Sequence, residues 1–318
     1  MSACMRQRDL CDQKSKNWIG RTGIAMKYEL KNEELQVEFQ SFGGSLSSIK
    51  DSRGTEFLWQ GDKTYWSGQA PVLFPICGSI RENKALTRSG RTLHMPRHGI
   101  VRKREFDCTQ QTENSITFSI KSNEEMEEAY PFSFELLQRY TLSGRRIRTE
   151  YLVKNTGADP MPFQIGGHPG FCCPLYEGED YSDYSIEFEK EETTSVPDPV
   201  VETGLIDMGK RTQILDHEKS LTLQHDLFHK DALIFDQLQS RKVTLVSKKH
   251  GKQLSLEFVD FPYLLLWSSA NDGPFIALEP WHGLSTCSDE SDIFDEKRGM
   301  IFAQASEEKS YYFDIIIE

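Results

Sequence analysis

The chain reads as an all-β protein, and three observations carry that expectation. Apolar and polar residues alternate along segment after segment from Tyr28 onward, turn-forming residues separate those segments, and no long stretch sustains a helical period. Leu35, Val37 and Phe39 alternate with Gln36, Glu38 and Gln40, and Ile116, Phe118 and Ile120 with Thr117, Ser119 and Lys121. Ile147, Thr149, Tyr151 and Val153 do the same, as do Leu254, Leu256 and Phe258. Each run predicts a strand with one buried face. Turn signals stand between them at Lys31-Asn32, Ser52-Arg53-Gly54, Ser143-Gly144, Asn155-Thr156-Gly157, His250-Gly251 and Asn271-Asp272-Gly273. Val243 to Ser247, a turn at Lys249-His250-Gly251 and Gln253 to Phe258 predict a β-hairpin. Short helical turns are expected near Glu124–Ala129 and Ser291–Phe294. Many short strands with few helices imply a sandwich or barrel. No composition break divides residues 26–318, so one large domain is expected. Residues 190–220, rich in Pro, Thr and charge, read as an extended surface excursion.

Of 318 residues, 37% are hydrophobic, and 19 Phe, 11 Tyr and 5 Trp supply a large core. The formal charge of −12 argues against nucleic acid, whose phosphates need a basic footprint, and against anionic membrane surfaces. No run of 18 apolar residues predicts a spanning helix. Residues 1–25 are polar, carry Cys4 and Cys11, and lack a signal-peptide core, whereas Met26 opens a patterned segment. They are expected to be a tag, vector-derived residues or an upstream leader outside the fold. The seven cysteines are odd in number, without a CxxC pair, and read as free thiols of a reducing cytoplasm. A monomer or weak homodimer is expected.

Four segments place polar residues in apolar or Gly/Pro-rich surroundings: Phe74 to Lys84, Met95 to Arg102, Gln164 to Phe171 and Phe275 to Gly283. In the last, Phe275, Ala277 and Glu279 share one strand face, with Glu279 closing an apolar strand before Pro280-Trp281. Partial burial there raises a carboxylate's pKa and makes it a better base; a salt-bridged strand-end glutamate is the plainer alternative. His168, between Gly166-Gly167 and Pro169-Gly170, has a rigid mount for an imidazole, or is an incidental turn histidine. His94 and His98 are spaced i, i+4, but Pro96 and Gly99 break a helix and no zincin glutamate is present, so no metal is expected. His98 remains a candidate ligand contact. His225 and His229 read as surface residues, and His282 as support for the Glu279 segment. Arg81 can fork two hydrogen bonds to a ligand or stand as an exposed charge. Trp267 and Trp281 are candidates either for stacking on a sugar ring or for the core. Nucleotide-binding glycine motifs, the GxSxG elbow and HExxH are all absent, which weakens those enzyme classes.

These segments, in order, carry a resemblance. FPICGSIRENK, MPRHGIVRKREF, YPFSFELLQRYTL, VKNTGADPMPFQIGGHPGF, LFHKDALIF and FIALEPWHG together resemble the aldose 1-epimerase family, particularly its LacX-like branch, over Met26 to Glu318. The resemblance implies a single-domain β-supersandwich of the galactose mutarotase type, a monosaccharide substrate, no cofactor, and a histidine and a glutamate flanking a pyranose. His168 matches the family histidine in GGHPGF, Glu279 the glutamate before Pro-Trp, and His98 the second site histidine. Asp231 is a weaker match to an aspartate that binds sugar hydroxyls. Related sequences often carry arginine after the glycine of FPxxG, where this chain has Ser79; Arg81, two residues on, is expected to supply the guanidinium. The implied reaction interconverts the α and β anomers of a hexopyranose, with Glu279 as base and His168, its pKa raised by that glutamate, as acid. Three rivals remain at this stage: a hexose-6-phosphate 1-epimerase using cations among Arg97, Arg102, Lys103 and Arg104, a non-catalytic sugar-binding protein, and a glycoside hydrolase pairing Glu279 with Asp231.

Overall fold

The computed structural model describes residues 26–318, and the expectation for residues 1–25 lies outside the described residues. Regular structure among the described residues is nearly all strand. The one α-helix among the described residues, Glu124–Ala129, falls where a helical turn was expected. The Asn123 side chain accepts a hydrogen bond from Met126 N–H and three glutamates fill its first turn, which suits a helix N-terminus. The second expected turn is a single 3₁₀ turn shifted to Phe294–Glu296. No described helix is long and apolar enough to cross a membrane.

Two large antiparallel sheets form the body. The nine-stranded sheet runs, from one edge to the other, Leu205–Thr222, Tyr184–Val200, Lys242–Ser247, Gly251–Glu257, Glu308–Ile317, Arg146–Asn155, Phe134–Ser143, Ser115–Lys121 and Asp107–Gln111. The six-stranded sheet runs Leu233–Phe235, Tyr263–Trp267, Phe275–His282, Ile165–Gly167 and Val72–Leu73, with Gly170–Cys172 also paired to Phe275–His282. The predicted alternation is realised: Ile147, Thr149, Tyr151 and Val153 are buried on one face of their strand, and Leu35, Val37 and Phe39 on theirs. The predicted hairpin pairs Lys242–Ser247 with Gly251–Glu257.

The six-stranded sheet is covered on both faces, which explains why YLLLW and FIALEPW are almost continuously apolar. Leu264, Leu266, Ile276 and Leu278 join the main core between the sheets. Their neighbours Leu265, Trp281 and Ile234 belong to a second cluster, with Cys77 and Leu284, on the outer face. Gly167 points inward, since a Cβ there would meet Phe313 and Tyr151 of the nine-stranded sheet. His168 and Glu279, one position out of phase with Gly167 and Leu278, project from the outer face.

Residues 190–220, expected as an extended surface excursion, lie in a long antiparallel ribbon of Tyr184–Val200 and Leu205–Thr222 with several register shifts. Its tip folds back over the outer face of the six-stranded sheet, where Ile206 bridges to Cys287. One expectation needs correction: Glu279 does not close its strand, which continues through Pro280 to His282. Leu278 N–H donates to Pro169 O, and Pro280, two residues on, turns the same edge toward the neighbouring strand without an N–H to satisfy. All five described cysteines are free thiols.

Candidate active site

The site is built where the ladder beside the Glu279 strand is interrupted. Ile165 and Gly166 pair with His282 and Trp281, and Gly170 to Cys172 pair with Ala277 to Phe275 in the same register. The intervening His168 therefore stands directly across from Glu279. Leu265 is the Glu279 partner on the other side. His168 N–H is taken up by Pro71 O, which locks the backbone under the imidazole. The His168 Nε2 to Glu279 Oε2 distance is 3.2 Å, and both side chains are buried.

The next row of the sheet is kept small by Gly170 and Ala277, which stand opposite one another. That space admits the Trp66 indole, and a Cβ on Gly170 would come within 2.8 Å of it. Trp66 lies parallel over the His168 ring at 4.6 Å between centroids, and Trp267 meets the same ring edge-on at 5.4 Å. Trp66 was not legible as a site residue. Its only signal is a pair of aromatic residues, Tyr65-Trp66, in a polar loop between Gly61 and Gly68.

These groups open into a cleft of about 660 Å³, whose walls also include Arg97, His98, Arg102, Asp231 and Trp281. Seven side-chain polar atoms among the described residues are buried without a hydrogen-bond partner. Four of them, His168 Nδ1, Ser269 Oγ, Glu279 Oε2 and Trp281 Nε1, line this one cleft, with Glu279 Oε2 having only the 3.2 Å approach of His168 Nε2. Buried polar groups are nearly always paired, so such a concentration marks a surface shaped for a polar ligand. A larger hollow of about 750 Å³, beside Phe42, Arg104, Lys121 and Glu135, has no such atom among its lining residues.

The electrostatics depart from the sequence-based expectation. Burial pushes the Glu279 carboxyl well above the usual carboxylate range. It pushes His168 below the usual imidazole range rather than above it, and the charges of Arg102 and Arg97 add to that fall. Desolvation thus outweighs the contact between the two. The dry pair favours its neutral form, a carboxylic acid beside a neutral imidazole, which jointly hold one proton.

His98 faces the His168 ring edge-on at 5.6 Å between centroids. Its φ of +69° is a left-handed conformation unusual for a residue with a Cβ and held here by the surroundings. Its N–H donates to Gly78 O at 2.7 Å, and Gly78 N–H donates to His98 Nδ1 at 3.2 Å. Burial and the nearby His168, Arg97 and Arg102 hold the ring neutral by pushing its pKa well down. Arg97 Nε–H points at Nε2 from 3.3 Å, so donors approach both ring nitrogens and the neutral ring can accept from only one of them.

Asp231 lies at the cleft, its Oδ1 accepting from Ala232 N–H at 2.9 Å and its Oδ2 3.4 Å from Arg97 Nη2. Arg81 does not belong there, which corrects the expectation from strand alternation. Arg81–Asn83 form a 3₁₀ turn with left-handed Glu82 and Asn83, so the alternation from Ser79 does not hold. Arg81 instead pairs with Asp292, away from the cleft lining. Ser79 packs under the ribbon tip, where a Cβ on Gly204 would lie 2.8 Å from Ser79 Oγ and 3.5 Å from Arg97 Nη1. The cleft's guanidinium groups come from Arg97 and Arg102, in the segment that also supplies His98. His282 Nδ1 lies 3.2 Å from Gly299 O and the ring packs on Tyr311, a supporting place outside the cleft. His225 stacks on Tyr181, half-buried, and exposed His229 pairs with Asp272 at the cleft rim. No group of three or more His, Cys, Asp or Glu among the described residues is arranged to hold a metal ion.

Fold and cleft together define a class: antiparallel β-sandwiches that carry a histidine and a glutamate face to face on the outer side of one sheet. Residues 26–291 match the family model described as aldose 1-epimerase, and the chain belongs to that family. It is 53% identical over 277 residues to the plasmid and chromosomal LacX proteins of Lactococcus lactis subsp. lactis, covering 86% of this chain and 93% of each relative. A galactose mutarotase related enzyme from Lactobacillus acidophilus superposes with a TM-score of 0.87 at 30% identity, covering 92% of this chain and 97% of that one. A galactose mutarotase-like protein from Lactobacillus casei gives 0.84 at 28%, over 92% of this chain and all of the other. The fold is that of the galactose mutarotase-like proteins, as the resemblance implied.

Proposed function

We propose that the protein is an isomerase that interconverts the α and β anomers of an aldopyranose by opening and reclosing the ring. The observation that carries this reading is the near contact of an acid and a base, His168 Nε2 and Glu279 Oε2 at 3.2 Å, in a cleft of unpartnered polar atoms. Mutarotation moves one proton off the anomeric hydroxyl and one onto the ring oxygen. Those two oxygens are bonded to the same carbon, so the groups serving them must be close neighbours. A glycosidase needs carboxyl groups about 5–10 Å apart across a scissile bond. The second carboxylate here, Asp231, is engaged by Arg97.

One shared proton suffices. In the tautomer with ionised Glu279 and protonated His168, the carboxylate takes the anomeric hydroxyl proton while the imidazolium protonates the ring oxygen. The bond between C1 and the ring oxygen breaks, leaving an open-chain aldehyde beside a neutral acid and a neutral imidazole. That neutral form is the one the dry cleft favours, so ring opening relieves the cost of the buried ion pair. Rotation about the C1–C2 bond presents the other face of the aldehyde. Closure then returns one proton to O1 from Glu279 and one from the sugar hydroxyl to His168. The His98 ring, Ser269 and Trp281 present polar atoms to the sugar hydroxyls, and Trp267 offers a flat apolar face to the sugar ring.

The test is saturation-transfer NMR of anomer exchange over a panel of aldoses. Acceleration over the buffer rate supports the proposal; sugar binding without acceleration overturns it. A pH profile adds a sharper expectation. Activity needs one proton on the pair. Burial resists a second proton on His168 and resists loss of the first from Glu279. The profile of kcat/KM is therefore expected to stay flat across neutral pH, with its acid limb below the ordinary histidine pKa of about 6.5. A descent centred near that value would show His168 titrating as an ordinary imidazole.

A further inference from the structure

Residues two apart on a strand share a face, so Glu279 and Trp281 stand side by side on the outer face of the six-stranded sheet. Trp281 is 2% exposed and lines the cleft, yet its Nε1–H has no acceptor among the described residues. An indole N–H usually finds a partner when it is buried, so an unmet one at a cleft wall is a donor kept for a ligand. The ring is held in place. A Cβ on Gly166, its partner across the ladder, would come within 3.0 Å of Cδ1, the carbon next to Nε1. His98 packs edge-on against the indole at 5.5 Å between centroids. Burial raises the Glu279 pKa, and the Trp281 N–H works against that rise, so the two groups are close. No hydrogen bond joins them. A donor and an acceptor this near, neither bonded to the other, suit a single group placed between them.

A sugar hydroxyl fills both roles, because it donates one hydrogen bond and accepts others, whereas the ring oxygen only accepts. We infer that this hydroxyl is the anomeric one and that Trp281 Nε1–H donates to O1 while Glu279 takes the O1 proton, an inference that rests on the acid–base reading of the same cleft. In ring opening the O1–H electron pair becomes the second bond of C1=O1. The pair of the breaking bond between C1 and the ring oxygen takes the proton from His168. To the extent that the proton leaves O1 before that bond breaks, negative charge gathers on O1. The indole N–H is fixed beforehand, so it holds the charged oxygen more tightly than the hydroxyl at no cost in reorganisation. In closure the same donor polarises the aldehyde as the sugar hydroxyl adds to C1. Trp281 is thus a catalytic residue that works through the edge of its ring, neither a stacking platform nor a core filler.

The experiment uses Trp281→Phe, which removes the N–H and keeps most of the apolar bulk, with folding checked by circular dichroism. The probes are glucose and galactose, their 2-deoxy forms, which lack O2, and their 1,5-anhydro forms, which lack O1 and cannot open. For the hexoses, saturation-transfer NMR is expected to show kcat lowered by about 10–10²-fold, less than the roughly 10²–10³ of a donor to a full oxyanion, with a smaller change in KM. The 2-deoxy sugars are expected to lose the same factor. Calorimetric affinity for the 1,5-anhydro sugars is expected to stay unchanged. Wild-type kcat in the variant overturns the inference and leaves the mutarotase reading standing. So does a penalty that vanishes for the 2-deoxy sugars, which would put the N–H on O2. A matching loss of affinity for the anhydro sugars also overturns it and makes Trp281 a packing residue. No exchange of any aldose by the wild-type protein overturns both readings. If Trp281→Phe does not fold, ¹⁵N-indole spectra of the wild-type protein decide. Of its five tryptophans, one N–H signal is expected to move downfield with the hexose and to stay with the anhydro sugar. No movement, or the same movement with both, overturns the inference.

Discussion

Glu279→Gln is expected to lower the rate of anomer exchange by about 10²–10⁴-fold, the usual contribution of one positioned proton transfer, while the protein still folds. The amide keeps the volume of the carboxyl but cannot accept the anomeric proton. The same substitution should leave the thermal midpoint at neutral pH unchanged or higher. The sign follows from linkage. Burial raises the Glu279 pKa, so the folded chain binds that proton more tightly than the unfolded chain does. Its contribution is most favourable below the unfolded value of about 4.3 and diminishes as pH rises through the folded one. Glutamine lacks that dependence. A variant that is inactive yet at least as stable would mark Glu279 as a residue retained against stability. Turnover like that of the wild type, with the fold verified by circular dichroism, would remove Glu279 as the base.

His168→Asn is expected to cost a similar factor in kcat, with a smaller change in sugar affinity. Asparagine retains a polar group opposite Glu279 but cannot carry the proton to the ring oxygen. It also loses the ring on which Trp66 stacks. Because the pair works as one proton relay, the double variant with Glu279→Gln should be little slower than the slower single variant. Multiplying losses would indicate two independent contributions. A loss confined to KM would make His168 a binding contact.

Much of this was legible in the sequence, and the exceptions have physical causes. One-face alternation, as in Ile147 to Val153, is a local signal and translated directly into strands. The pairing of His168 with Glu279 depends on a register set by strands more than 100 residues apart, so spacing could not give it. The resemblance implied it, and the shared register of Gly166 and Gly170 provides the geometry. Proline misled once: Pro280 read as a terminator, but its missing N–H falls at the interruption beside His168. The extended character of residues 190–220 was legible, whereas their pairing into a ribbon with several register shifts was not. Arg81 was misplaced because left-handed Glu82 and Asn83 turn the chain, a conformation their residue types do not announce. The direction of the His168 shift was missed because the sequence shows neighbours in order, not the dryness of the space between them.

The central claim is that the protein breaks the bond between C1 and the ring oxygen by proton transfer and leaves the exocyclic C1–O1 bond intact. It is tested most directly with an aldose carrying ¹⁸O at O1, equilibrated with enzyme in ordinary water and followed by NMR for anomer exchange and mass spectrometry for label. Many rounds of accelerated exchange with the label retained are predicted. Loss of label in step with anomer exchange, or no acceleration of exchange for any aldose tested, would contradict the account.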